Sequence, residues 1–281
     1  MKPTTLMTDV SPSSPANVSV APPPTNHRLV GPMDSRLRGL YGLIGLGILI
    51  GLWWMGIHLW GSRLAQQFSP GLALQTTWEL LTQEEIWWHI SLSLKRVAVG
   101  LGLAIILGVP LGLLMGFLPR LNALLTPSFQ FLRMISPLSW MPIAVMAFGI
   151  GDASIYFLLT FAAVWPVILN TTAGVQAINP QWLELGKSLA ATRTETLLHI
   201  VLPAILGHVL TGLRLAVGIV WIVLVPSEML GVDAGLGYFV LDTRDRMAYA
   251  ELMAAILVIG LLGFLLDSSL RWLFHRWIKR L

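Results

Sequence analysis

The chain contains no cysteine, which excludes disulfide frameworks and thiolate chemistry without identifying a compartment. Charge is scarce, at 11% of 281 residues, where soluble domains carry about a quarter. The short-period alternation of a β-barrel is missing, as are a repeat of solenoid length and the inverted duplication common in secondary transporters. There is no Ser/His/Asp set and no glycine-rich phosphate loop, and His58, His199 and His208 do not cluster as metal ligands. An intramembrane enzyme is therefore disfavoured, because no catalytic constellation is present.

What the chain has instead is apolar length. Hydrophobic residues make up 55% of it, and the mean hydropathy is +0.74. Residues 40–60 are interrupted by His58 alone, and residues 97–118 carry no charge. Runs of this length span a hydrocarbon layer of ~30 Å, and in lipid a helix satisfies its own backbone hydrogen bonds. The expected fold class is an all-α membrane protein with about six transmembrane helices, at 39–60, 94–118, 121–150, 153–174, 203–228 and 250–272. A transmembrane domain would occupy 39–281, behind a tail over 1–38. That tail is rich in Pro, Ser, Thr and Asn and lacks the apolar content to fold, so disorder is expected there. No apolar core follows the first residues at signal-peptide distance, so the first span is retained.

The net charge of +4 and pI near 9.8 fit basic cytoplasmic flanks better than nucleic-acid binding. Arg28, Arg36 and Arg38 precede the first span, while Arg271, Arg276, Lys279 and Arg280 end the chain. With both ends inside, Glu79, Glu84 and Glu85 fall outside and Lys187 and Arg193 inside. Lys95 and Arg96 break the pattern at the outer end of the second span, where snorkelling to the interface is the expectation. Trp53, Trp54, Trp60, Trp87 and Trp88 suit an aromatic belt. Segment 121–150 is interrupted by Pro127, Pro137 and Pro142, each of which removes a backbone donor. Broken backbone at membrane depth is tolerated when buried in protein or lining a wet cavity. Ordinary proline kinks and a pathway position for Trp140 and Pro142 both remain open.

The 180–203 loop has a different character. Trp182, Leu185 and Leu189 recur at helical spacing, with Leu183, Gly186 and Ala190 on the adjacent stripe. Thr192-Arg193-Thr194-Glu195 is a capping-box pattern, predicting a second helix through Leu197 to Leu202, and Pro203 suits a fresh helix start. Small residues at 186 and 190 would admit another surface. An amphipathic helix here either lies on lipid or docks a partner, and its physics alone leaves both readings open.

The segment Glu184-Leu185-Gly186-Lys187-Ser188-Leu189-Ala190, then nine residues, then Ile200-Val201-Leu202-Pro203, resembles the EAA---G---------I-LP loop of ABC-importer permeases, which docks a cytoplasmic ATPase. Ala190 replaces the usual glycine, and Leu185 and Gly186 replace the two alanines. The resemblance widens over 90–275 to the nitrate/sulfonate/taurine/bicarbonate group, within the MetI-like transmembrane class. It is carried by Ser93-Leu94-Lys95-Arg96-Val97, Phe131-Leu132-Arg133, Pro137-Leu138-Ser139-Trp140-Met141-Pro142 and Phe148-Gly149-Ile150-Gly151. Trp165-Pro166-Val167-Ile168-Leu169-Asn170-Thr171, Thr211-Gly212-Leu213-Arg214, Glu228-Met229-Leu230 and Gly235-Leu236-Gly237-Tyr238 extend it.

The resemblance implies a MetI-like permease fold with a coupling-helix loop, in a prokaryotic plasma (inner) membrane with both termini cytoplasmic. It implies a second permease subunit in a homodimer, two cytoplasmic ABC ATPase subunits and an extracytoplasmic solute-binding protein. No cofactor is expected on this chain, since ATP and Mg would bind the ATPase, and no nucleic acid is expected. Coupling would fall to Glu184, Leu185, Gly186, Leu189, Ala190, Ile200, Leu202 and Pro203. The cargo expected is a small anion, nitrate or bicarbonate, because Asn170-Thr171 after Trp165-Pro166 and the Trp-rich outer segment resemble those importers. A sulfonate or taurine permease is the alternative, since the Phe148–Gly151 block occurs there equally. A secondary transporter or channel would not need the docking loop.

Arg133 and Arg214 stand about eleven or twelve residues into their spans, roughly 16–18 Å deep at 1.5 Å per residue. Charges there cost at least ~2.5–3.5 kcal/mol and are usually paired or face water. They either give an anion's path a positive field or form a structural pair. Glu228 is ~21 Å from Arg214 along one helix, too far to pair with it there. With Pro226 and Ser227 it sits near the outer end of its span, where a gate would be needed. Arg133, Trp140, Pro142, Arg214 and Glu228 are the pathway candidates.

Overall fold

The computed structural model describes residues 35–278, and these form twelve α-helices with two short irregular helical turns and no strand. The expected tail lies outside the described residues up to position 34, as do Lys279 and Arg280, and residues 35–38 are helical, the start of the first helix, rather than disordered as expected. Contacts divide the chain into two units, Met1–Ile50 and Gly51–Leu281. The described part of the first is the leading half of helix α1 (Ser35–Trp60), whose apolar side chains, such as Leu46 and Leu49, are exposed. An apolar helix with no polar face is what lipid stabilises.

The second unit continues through α2 (Arg63–Gln67), α3 (Pro70–Leu81), α4 (Glu84–Phe117) and α5 (Pro119–Met134). A 3₁₀ turn, Pro137–Trp140, leads into α6 (Met141–Phe148), followed by α7 (Asp152–Gln176), α8 (Pro180–Ser188) and α9 (Arg193–Thr196). A π turn, Leu197–Val201, opens into α10 (Leu202–Gly231), and α11 (Leu236–Asp245) and α12 (Tyr249–Ile278) complete the chain. Among the described residues five helical stretches are long and apolar enough to cross a membrane: Leu40–Leu59, Glu84–Phe117, Asp152–Gln176, Arg193–Gly231 and Tyr249–Trp272. The bent pair Pro119–Met134 and Pro137–Phe148 makes six if its two arms together count as one broken span.

Packing of α4, α7 and α10 makes the main core, in which Val97, Ala104, Leu159, Ala163, Val167, Val220 and Leu224 are buried together. The sequence produces it by placing a small residue at every fourth position of α4: Gly100, Ala104, Gly108, Gly112 and Gly116. That spacing gives one smooth helix face. A Cβ on Gly100 would stand 2.6 Å from Leu159 Cβ, and one on Gly112 2.6 Å from Thr171 Cβ. Such close approach maximises van der Waals contact where lipid supplies no hydrophobic drive. A second cluster joins Leu80, Ile86, Leu236, Phe239 and Ala255, from α3, α4, α11 and α12.

Three expected boundaries change. The second span starts at Glu84 rather than 94, because Glu84 and Glu85 in the first turn favour a helix N-terminus and Ile86 and Ile90 are buried against α11 and α12. The segment 121–150 is not one continuous helix but two helical arms bent by 89° at a break. Pro137 disfavours helical geometry at Ser136, whose ψ is 128°. Pro203 does not begin a separate helix, since the π turn carries α9 directly into α10, with Leu202 N donating to Leu197 O. A π turn absorbs such an irregularity without ending the helix.

Candidate functional site

The 180–203 loop is built by local capping. Asn179 Oδ1 accepts from Gln181 N at 3.0 Å to start α8. Thr192 and Glu195 form the expected capping box at the start of α9, with Thr192 N donating to Glu195 Oε2 at 2.8 Å. Between them, Ala191 N donates to Gly186 O and Ala190 N to Lys187 O, both at 3.0 Å. This is a Schellman C-cap, which requires a left-handed residue, and Ala190 supplies it at φ 56°.

One side of α8 belongs to the fold and the other is free. Leu183 packs on the cluster of Val175, Ile178, Val201 and Ile205, which Leu202 also joins. Gly186 is buried, and a Cβ there would lie 2.9 Å from Ile200 Cδ1. The expectation that Gly186 admits an outside surface is therefore corrected: the surface it admits is this chain's own Ile200. On the opposite face Leu185 is 58% and Leu189 73% exposed, beside the exposed Trp182, Glu184 and Ala190. A groove of ≈ 570 Å³ between Trp182, Leu185, His199, Ile200, Pro203 and Ala204 continues this face.

The pathway candidates do not converge. Arg133, in the last turn of α5, lines a cavity of ≈ 360 Å³ with Trp165, Pro166 and Asn170 of α7 and Leu215 and Ile219 of α10. Trp140 stands next to this region in an aromatic ladder, 5.3 Å from the Phe161 ring, which is 5.2 Å from that of Trp165. Pro142 is exposed in the first turn of α6. Arg214 faces the other way and meets Asp267 of α12 at 3.4 Å, and that carboxylate also holds Arg271 at 3.0 Å.

Glu228 is fully enclosed, with no exposed side-chain area. Its oxygens accept from Ser93 Oγ at 2.8 Å, Arg96 Nη1 at 2.7 Å and Gly237 N at 2.8 Å. The expected gate residue is thus a fastener, and the expected snorkelling arginine is its partner. Arg96 is 3% exposed and also binds Asp152 Oδ1 at 2.7 Å and the Ala234 carbonyl at 2.6 Å. Gly235 N donates to His89 Nδ1 at 3.0 Å, closing the knot. Gly235, at φ 124°, is the only residue type that fits, because a Cβ there would stand 2.6 Å from Glu228 Cδ. The signal was present in the sequence as a charge in each of two apolar spans beside Gly235-Leu236-Gly237. It did not say that they meet.

Residues 108–279 match the family described as binding-protein-dependent transport system inner membrane component. The bicarbonate transport system permease protein CmpB of Synechococcus elongatus is 39% identical over 262 residues, covering 88% of this chain and 91% of that protein. The nitrate import permease protein NrtB of Leptolyngbya laminosa is 33% identical, covering 85% and 88%. The taurine transport system permease protein TauC of Escherichia coli K12 is 32% identical, covering 82% and 86%. Among solved structures, the inward-facing MetNI methionine ABC transporter shares the fold at TM-score 0.57 and 16% identity, over 71% of this chain and 96% of that one. The chain belongs to the binding-protein-dependent transport system inner membrane component family and is a multi-pass ABC-importer permease of the MetI-like fold.

Proposed function

We propose that this chain forms the membrane path for a small inorganic oxyanion, bicarbonate or nitrate, driven by ATP hydrolysis on partner subunits. The observation that carries the reading is the cavity behind Arg133, whose guanidinium makes no hydrogen bond or ion pair among the described residues. Arg133 is exposed in the single chain, but the side chains around it in this cavity are mostly apolar, and low-polarity surroundings strengthen a lone positive charge's attraction for an anion. No acidic side chain lines this cavity. A zwitterion such as taurine could set its sulfonate on Arg133, but its ammonium would find no counter-charge among the lining residues.

In this reading the exposed face of α8 is the coupling surface. Leu185, Leu189 and Trp182 offer apolar area, Glu184 sets the charge, and Ile200 and Leu202 brace the helix from beneath. Two copies of the chain would pair, with an ATPase on each α8 at the cytoplasmic side, ATP and Mg on those ATPases, and a solute-binding protein outside. Both termini would be cytoplasmic in a prokaryotic inner membrane. Uptake of labelled bicarbonate, nitrate and taurine by the reconstituted importer tests the reading. Bicarbonate or nitrate import without taurine import is expected, and taurine import alone overturns it.

A further inference from the structure

The cavity behind Arg133 holds a second polar feature, an acceptor whose direction is fixed. Asn170 Nδ2 donates to the Pro166 carbonyl at 2.8 Å, four residues earlier on α7. That oxygen can only accept, so the amide cannot be flipped, and Asn170 Oδ1 receives no donor among the described residues. Gly212 of α10 keeps this corner tight, since a Cβ there would stand 2.8 Å from Pro166 O and 2.9 Å from Asn170 Cβ. Pro166 also has no N–H of its own, which withdraws the ordinary helical donor from the Ala162 carbonyl, and Ala162 lines the same cavity. One cavity lining therefore holds a guanidinium without a partner among the described residues together with uncommitted acceptor oxygens.

The two parts ask for different things of a ligand. A guanidinium presents N–H donors in a planar fork and fits a flat carboxylate-like edge. An unpaired amide oxygen repels a species that can only accept and rewards one that donates. Nitrate is planar and accepts at every oxygen. Hydrogencarbonate is planar, carries one negative charge over two oxygens, and has one O–H.

Resting on the oxyanion reading above, we propose that Arg133 and Asn170 form a selective subsite for hydrogencarbonate, with Arg133 binding its charged edge and Asn170 Oδ1 accepting its O–H. Trp165 walls the site. Its Nε1 is buried without a partner among the described residues.

A site built to pair an O–H rejects the analogue that lacks it far more strongly than a site shaped only by size. The test is initial uptake of ¹⁴C-hydrogencarbonate and of labelled nitrate by the complete reconstituted importer, with assembled complex quantified for each variant. Asn170→Leu, which removes the acceptor at similar volume, lowers the hydrogencarbonate-to-nitrate uptake ratio by about tenfold or more. Asn170→Thr, whose hydroxyl both donates to Pro166 O and accepts from the ligand, restores the ratio to within about threefold of wild type. Asn170→Asp, nearly isosteric, abolishes uptake of both anions while the complex still assembles, which keeps the site testable should the leucine variant fold poorly. Arg133→Gln reduces uptake of both without moving the ratio much. An unchanged ratio in the Leu and Thr variants, together with normal uptake in Asn170→Asp, overturns the subsite alone. Import of neither anion by the wild type overturns the oxyanion reading and the subsite with it.

Discussion

Ala190 holds a backbone conformation, φ 56°, that L-residues avoid because Cβ crowds the carbonyl, at a cost of roughly 1–2 kcal/mol. The residue that the loop motif usually carries at this place is glycine, and the Schellman cap explains why. Ala190→Gly removes the strain and, after glycine's larger unfolded-state entropy is subtracted, stabilises the loop by about 0.5–1 kcal/mol. Hydrogen exchange at the amides of Ala190 and Ala191, which donate into α8, should slow accordingly. Unchanged or faster exchange would show that the loop gains nothing from glycine. Gly186 behaves in the opposite sense. A methyl there crowds the flexible tip of Ile200 at 2.9 Å and touches Thr196 Oγ1 at 3.7 Å, so Gly186→Ala should cost little. Gly186→Trp should lower the yield of folded permease, because an indole must displace Ile200 from α8's inner face.

At the scale of elements, α8 was legible because its two stripes and its capping signals are local. Trp182, Leu185 and Leu189 form one face and Leu183 and Gly186 another, and the sequence shows both. It does not show which face turns inward, because that is decided by Val175, Val201 and Ile205. The same limit applies to segment 121–150. Its prolines announce a break, but the 89° angle between its arms comes from α6 packing Met141 and Ala144 on Leu158 of α7. Arg133 was legible as a charge at membrane depth. Its cavity was not, since Asn170 and Trp165 lie on another helix. A two-faced α8 gives a sharp contrast of outcomes. Leu185→Asp or Leu189→Asp changes an exposed side chain, so fold stability should move by no more than about 0.5 kcal/mol. Co-purification of the ATPase should fall about tenfold or more. Leu183→Asp buries a charge on the inner face and should cost folded protein instead. Equal ATPase recovery with Leu189→Asp would remove this face from the docking surface.

For the whole molecule, the Arg96 knot and the α8 loop are joined by the same helices. Arg96 sits on α4, Asp152 opens α7, Glu228 ends α10, and Ala234 and Gly237 lie at the turn into α11. The far end of α7 leads to α8, and the near end of α10 leads back to it through the π turn. The knot ties the three core helices together at one end, and the α8 loop joins two of them at the other. Buried ion pairs are weak sources of stability, because desolvation offsets most of their attraction, but removing one partner leaves an uncompensated charge. Arg96→Met should leave the fully buried Glu228 without its counter-charge and destabilise the permease by about 3–5 kcal/mol, seen as a lower thermal midpoint and a lower yield in detergent. Replacing both partners, as Arg96→Met with Glu228→Leu, leaves Asp152 with its partly exposed carboxylate and should recover most of that loss. Stability and coupling then separate. If the knot only holds the helices together, the double variant should transport as well as it folds. If the knot also sets a helix register that α8 transmits, the double variant should fold normally yet hydrolyse ATP without proportionate uptake. A double variant no more stable than Arg96→Met would show instead that Glu228 is held chiefly by Ser93 and the Gly237 amide, with Arg96 adding little.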